Sequence, residues 1–366
     1  MPTVAEFAAH LERFAPCATA AEWDNVGLLL GDPAAQVSRV LTCLTLTPDV
    51  VEEAVRAGAQ LVVSHHPVLF RGAKKLTATT PDGAAVLPLL RAGIAVYSPH
   101  TAFDNCPGGI NDGLCARLGI ANARPLRPKD GTTQCKLVAF VPDSDLAKVS
   151  DAVFAAGAGV IGNYEQCSFR IAGTGTFFPR AGANPVVGQV GRREETNEWR
   201  YEVVVPEPLV PAVVATLKRA HSYEEVAFDV YPLKPLAAGG EGRIGELSET
   251  TTLGALAERA KRELRAACVQ LVGDPARVVR TVALACGAAG EYLNDAIKRK
   301  ADVFLTGEVR FHEALAARGA NVGLILPGHY ATERPAVEDL AERLRAAFAD
   351  ADVWASRAER DPLTVL

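Results

Sequence analysis

Five side chains have types and spacings that suit shared metal ions. They are the adjacent His65 and His66 in Ser64-His65-His66-Pro67, then Asp104, and finally His329 and Glu333 in Gly328-His329-Tyr330-Ala331-Thr332-Glu333. Imidazoles and carboxylates without thiolate make a mixed nitrogen and oxygen donor set. Such a set suits zinc, manganese, iron, cobalt or nickel and disfavours calcium or an iron–sulfur cluster. Five ligands are too many for one tetrahedral ion. With one bridging carboxylate they suit two divalent metal ions per chain, roughly 3.5–4 Å apart, which lower the pKa of water and hold both oxygens of a displacement. Glu308 and His312 lie four apart at the start of an expected helix and are candidates for proton transfer beside activated water. Each residue also has an ordinary reading. A His-His-Pro turn can sit at the surface, a loop Asp can cap a turn, and Glu308 can be a first-turn acid facing a helix dipole. His100 either supports the site or packs at a strand end, and Cys106, the thiol nearest the expected ligands, reads as a reduced bystander.

The elements that carry these residues give the set its weight. The apolar strand Leu61 to Val63 runs directly into His65 and His66. The strand Ile94 to Tyr97 ends in a loop from His100 to Asn105, and the strand Val322 to Leu326 precedes His329. In parallel sheets the carboxyl ends of neighbouring strands open onto one crevice, so these loops can converge. Pro335 is tolerated only in the first turn of a helix. His329 and Glu333 therefore either share a helical face or lie on a loop leading into a helix from about Arg334 to Phe348.

Other elements follow the same alternation. Thr3 caps a helix from Val4 to Phe14, followed by a strand at Val40 to Leu46 and helices at Val50 to Ala57 and Gly83 to Ala92. Later come a helix at Leu253 to Leu264, strands at Val279 to Ala285 and Val303 to Thr306, and helices from Tyr292 and from Glu308. Strands joined by helical crossovers imply an α/β fold with a mostly parallel sheet. Residues 122–134, with two prolines, a glycine and several charges, read as a linker, as do residues 237–242. Between them runs strand, helix, strand, strand, helix, strand: the ferredoxin-like βαββαβ order, in a unit of about a hundred residues. The expected organisation is a metal-binding α/β body in two sequence halves, residues 1–127 and 240–366, interrupted by a ferredoxin-like insert at 132–235. A simple string of three domains fits the spacing equally well.

Hydrophobic residues make up 49% and charged residues 22%, an ordinary globular composition. The formal net charge of -5 argues against a nucleic-acid surface, which needs clustered cations. With Glu6, His10, Glu12 and Arg13 in the first turns and no apolar run longer than Leu28 to Leu30 there, neither a signal segment nor a membrane span is expected. The eight cysteines are scattered without a CxxC pair, so reduced thiols and a cytoplasmic location are expected.

Several motifs in order carry a family likeness: Trp23-Asp24-Asn25-Val26-Gly27-Leu28, Ser64-His65-His66-Pro67, His100 through Pro107-Gly108-Gly109-Ile110-Asn111-Asp112, Thr306-Gly307-Glu308, and Gly328 to Glu333. Together they resemble the dinuclear-metal proteins called GTP cyclohydrolase 1 type 2 homologues, or NGG-interacting-factor-three-like proteins. The resemblance implies that His65, His66, Asp104, His329 and Glu333 are metal ligands. It also implies a ring-like homohexamer with its sites facing an internal cavity. The insert, with His221-Ser222-Tyr223-Glu224-Glu225, is similar to the extra PII/CutA-like domain of the longer bacterial members. Ala102-Phe103 before Asp104, Thr45-Leu46-Thr47 after the second strand, and Ser222 depart from the family pattern around the site. The expected function is a metal-dependent hydrolase of a small molecule or nucleotide. The alternatives are a non-catalytic metal-binding or regulatory hexamer with a ligand-sensing insert, and a nucleic-acid scaffold that the acidic balance counts against. Three inserts packed about an axis would bury a bare sheet face, and either Tyr201, Val203 and Val205 or Phe228, Val230 and Pro232 are expected on it.

Overall fold

A computed structural model describes residues 1–129, 134–162, 164–233 and 239–365. They fall into two compact units, one formed by Met1–Lys129 with Gly239–Leu366 and the other lying within Asp130–Ala238. The ends expected for the insert, Thr132 and Pro235, lie outside the described residues, as do positions 237 and 238 of the second expected linker.

The first unit is α/β and contains two sheets. The five-stranded sheet has the order Gly27–Leu30, Ala95–Ser98, Leu61–Ser64, Arg39–Cys43, Asp352–Ala355, and only the pairing of Gly27–Leu30 is antiparallel. The six-stranded sheet has the order Gln270–Val272, Gly323–Leu326, Val303–Leu305, Val278–Leu284, Gly239–Thr252, Ile120–Lys129. Its Val278–Leu284, Val303–Leu305 and Gly323–Leu326 strands run parallel to one another. Val303–Leu305 and Gly323–Leu326 are apolar and buried throughout, because a sheet covered on both faces exposes neither set of alternating side chains to water. Helices Val4–Phe14, Ile110–Leu118, Leu253–Glu263 and Pro335–Ala347 contribute to one apolar core that takes residues from both sheets. Helix Val4–Phe14 starts at Thr3, whose side chain and that of Glu6 form a reciprocal capping box.

The sequence halves exchange strands. Ile120–Lys129 pairs with Gly239–Thr252 in the six-stranded sheet, while Asp352–Ala355 closes the edge of the five-stranded one. Residues 122–129 and 239–242 are therefore strand, which corrects their reading as linkers. Ile120–Lys129 is an edge strand, the position in a sheet where prolines such as Pro125 and Pro128 are tolerated. Gly242 has φ 59°, and a Cβ there would press on the Leu284 carbonyl at 2.8 Å, so glycine permits this close pairing. A second correction concerns His100–Asn105, a short helix rather than a loop. Strands Gly27–Leu30, Gln270–Val272 and Asp352–Ala355 and helix Ile110–Leu118 carry too little periodic signal to be read from sequence. Among the described residues no helix is long and apolar enough to cross a membrane.

The second unit is a four-stranded antiparallel sheet in the order Ser168–Phe177, Glu194–Pro206, Gln134–Pro142, Phe228–Pro232. Helices Leu146–Ala155 and Val210–Ala220 supply Val149, Val153, Val213 and Leu217 to a core with Leu137, Tyr201, Val203 and Val205. Tyr201, Val203 and Val205 are at most 1% exposed, and Phe228 and Val230 pack against the same core. Neither set expected on a bare sheet face lies there. The opposite face carries Phe169, Ile171 and Tyr231 instead.

Candidate metal centre

Each expected ligand leaves the carboxyl end of a parallel strand. His65 and His66 follow Leu61–Ser64, and Asp104 lies in the short helix after Ala95–Ser98. His329 and Glu333 bracket a one-turn helix after Gly323–Leu326, which settles their placement on one helical face. Sequence positions more than 260 apart thus meet: His66 Nε2 is 3.1 Å from Glu333 Oε2, and His329 Nε2 is also 3.1 Å from that oxygen. His65 Nε2 is 3.4 Å from Asp104 Oδ1. Two donor groups emerge, His65 with Asp104 and Glu333, and His66 with His329 and Glu333, the atoms of each lying within 4.8 Å of one another. Glu333 belongs to both.

The chemistry of these atoms fits a divalent cation. His65 Nδ1 and Nε2, Asp104 Oδ1 and His329 Nε2 are all buried without a hydrogen-bond partner. Buried polar atoms in that condition are costly unless something else satisfies them. Burial holds His65 well below its ordinary pKa, so its ring is neutral and able to donate a lone pair. Burial and the neighbouring Glu333 carboxylate push Asp104 up to about 7. Burial works to raise Glu333 as well, but the His329 and His66 rings beside its carboxylate hold it below the usual carboxylate range. The Glu333 carboxylate beside its ring lifts His329 to about 9.

Outer contacts aim the rings. Thr45 Oγ1 lies 2.8 Å from His66 Nδ1, and Glu308 Oε1 lies 3.0 Å from His329 Nδ1. In both rings Nδ1 is occupied and Nε2 is left for the centre, the usual way a metal-binding imidazole is oriented. His100 is held likewise, with Nδ1 2.7 Å from Asp24 Oδ1. It forms a third group with His65 and His66. Asp24 Oδ2 accepts from the Thr101 hydroxyl at 2.6 Å. Burial tends to raise Asp24, yet the bonds from His100 and Thr101 keep it at about 2.

Glu308 therefore stands against a ligand, whereas His312 is exposed beside Phe311 and enters none of the donor groups among the described residues. The expected helix from Glu308 begins at Phe311, which leaves Glu308 free to reach His329. Cys106 is not the nearest thiol: its sulfur turns to the Phe103 carbonyl, and the buried Cys286 lies against Asp104. Cys286 comes from the end of Val278–Leu284, some 180 residues away, and no spacing signals it. Gly287, with φ 66°, was missed too; a Cβ there would collide with the Glu333 carboxylate.

The chain is similar to known proteins over nearly its whole length. A relative from Bacillus subtilis, called GTP cyclohydrolase 1 type 2 homolog, is 35% identical over 360 residues, covering 97% of this chain and 96% of the relative. The protein of the same name from Mycobacterium tuberculosis is 39% identical over 345 residues, covering 92% and 90%. The crystal structure of a Bacillus cereus protein related to NIF3 superposes with TM-score 0.74 at 34% identity, over 100% of this chain and 99% of that one. A Staphylococcus aureus protein gives TM-score 0.82 at 27% identity with the same coverage. The family description Duf34/NIF3 (NGG1p interacting factor 3) matches residues 2–362, and the chain belongs to that family.

Proposed function

We propose that the protein is a metal-dependent hydrolase acting on a small molecule or nucleotide at a centre of two divalent ions. His65 and Asp104 would hold one ion, His66 and His329 the other, and Glu333 would serve both. The observation that carries this reading is the pair of donor groups sharing Glu333, with four of their buried atoms lacking any hydrogen bond. Divalent ions in such a site supply Lewis acidity and lower the pKa of water. The protein's own part is to fix the donor atoms through Thr45 and Glu308 and to keep His65 neutral. Glu308, more than half exposed and bonded to His329, is placed to pass a proton between the centre and solvent. Free thiols throughout the chain support a cytoplasmic setting.

The relatives' name makes GTP the first substrate to test. Elemental analysis of protein kept free of chelators should give about two divalent ions per chain. Metal-loaded protein should then turn over GTP, another nucleotide, a phosphodiester or a cyclic amide, and His65→Ala and Glu333→Ala should lose both metal and rate. Less than one ion per chain under replete metal would end the two-ion reading. Full metal without turnover across those classes would end the hydrolase reading.

A further inference from the structure

The second unit holds a cavity of about 530 Å³, a volume that suits a small organic ligand. Its apolar wall is aromatic, formed by Phe140, Phe177, Phe178 and Tyr223. Phe178 is 56% exposed, and Val186 and Val187 beside it are 60% and 41% exposed, more apolar surface than the unit's own core needs.

The polar groups are mostly anionic. Glu198, Glu224 and Glu225 line the cavity against a single cation, Arg180. Glu224 is committed to the backbone amide of Asn184 at 2.8 Å. Glu198 and Glu225 enter no ion pair among the described residues. A Cβ on Gly175 would collide with the Glu198 carboxylate, so the glycine makes room for that group in the wall. The Tyr223 hydroxyl is buried there and makes no hydrogen bond.

From this lining we propose that the cavity is a binding site for a small organic cation with an apolar, ring-bearing body. The aromatic faces attract a cation through their quadrupoles, and the two free carboxylates neutralise it. The Tyr223 ring adds to the aromatic wall. The site belongs entirely to the second unit and does not depend on the metal centre.

Tryptamine is a suitable probe for the full-length protein, with tryptophol as its neutral counterpart and indole-3-propionate as its anionic one. Calorimetry and saturation-transfer NMR should show saturable tryptamine binding at least roughly ten-fold tighter than either control. Glu198→Gln with Glu225→Gln should weaken tryptamine by a similar factor with unchanged melting and unchanged metal content. Tyr223→Phe should weaken it less. Equal binding of the three probes, preference for the anion, or full tryptamine affinity in the double variant would overturn the proposal. So would failure to bind tryptamine together with a change of sedimenting mass in Phe178→Ser or Val186→Ser, which would make this wall a contact between copies of the chain.

Discussion

At the scale of single residues, the proposed centre would depend on groups that never need to touch a metal. His66, His100 and His329 are each held at Nδ1, by Thr45, Asp24 and Glu308 respectively. Partners of this kind fix the ring and raise its basicity, so their loss costs metal affinity. Glu308→Ala is expected to weaken metal binding by roughly ten-fold, measured by competition with a chromophoric chelator. Glu308→Gln, which keeps an acceptor oxygen, should recover part of that loss, and unchanged affinity in Glu308→Ala would mean that His329 needs no anchor. Proton release gives a second residue-scale test. Ligands bind metal only when deprotonated, and in the metal-free protein His329 titrates near about 9 and Asp104 near about 7. Metal uptake at neutral pH should therefore expel about one and a half protons, the larger share from His329 and the rest from Asp104. Apparent affinity should rise with pH through about 7 and continue rising towards about 9. Calorimetry in two buffers of different ionisation enthalpy reads this directly, and a heat independent of buffer would contradict it.

At the scale of elements, legibility in the sequence followed the kind of signal each element carries. Strand Leu61–Ser64 and strand Gly323–Leu326 are apolar runs ending at histidines, and helix Val4–Phe14 has an explicit cap, so all three can be read directly. Ile120–Lys129 cannot, because its prolines and charges imitate a linker and only its edge position makes them harmless. His65, His66 and Asp104 could be grouped because the neighbouring parallel strands Leu61–Ser64 and Ala95–Ser98 open at one end. Gly323–Leu326 lies in the other sheet, and no rule for a single sheet brings His329 and Glu333 to them. Asp24 beside His100 and Cys286 beside Asp104 could not be grouped either, since adjacency across separate strands leaves no local pattern. The edge strand also makes a prediction. Lys129 and Gly239 are register partners in an antiparallel pair, so the chain leaves and re-enters the first unit at neighbouring points. Replacing residues 130–238 with a two-residue Asn-Gly turn should close a hairpin there. The product should remain folded and metal-loaded by circular dichroism and elemental analysis. An insoluble, metal-free product would show that the second unit is needed for the first to fold.

At the scale of the whole molecule, the question is what the second unit's uncovered sheet face is for. Its helices cover one face only, and the other bears Phe169 at 62%, Ile171 at 47% and Tyr231 at 48% exposure. Register places Phe169 opposite Glu202, Ile171 opposite Arg200, and Tyr231 opposite Lys136. The apolar side chains thus flank a charged stripe in which Arg200 and Lys136 reach Glu202 at 2.8 and 3.9 Å. Isolated exposed hydrophobes are ordinary, but three on one face, carried by the two outer strands on either side of a charged stripe, are better explained by contact with another copy. Packing of three such faces about an axis, with the first units pairing across to a second trimer, would give the closed homohexamer that we propose. Light scattering should then report a mass near six chains. Phe169→Lys with Ile171→Lys should reduce it to a smaller species without lowering the melting temperature, since both side chains are exposed in the single chain. Tyr201→Lys would be a misleading test, because Tyr201 is 0% exposed and a lysine there would bury a charge in the unit's own core. A wild-type monomer at micromolar concentration would refute the hexamer. A hexamer untouched by Phe169→Lys with Ile171→Lys would place the trimer contact on another surface.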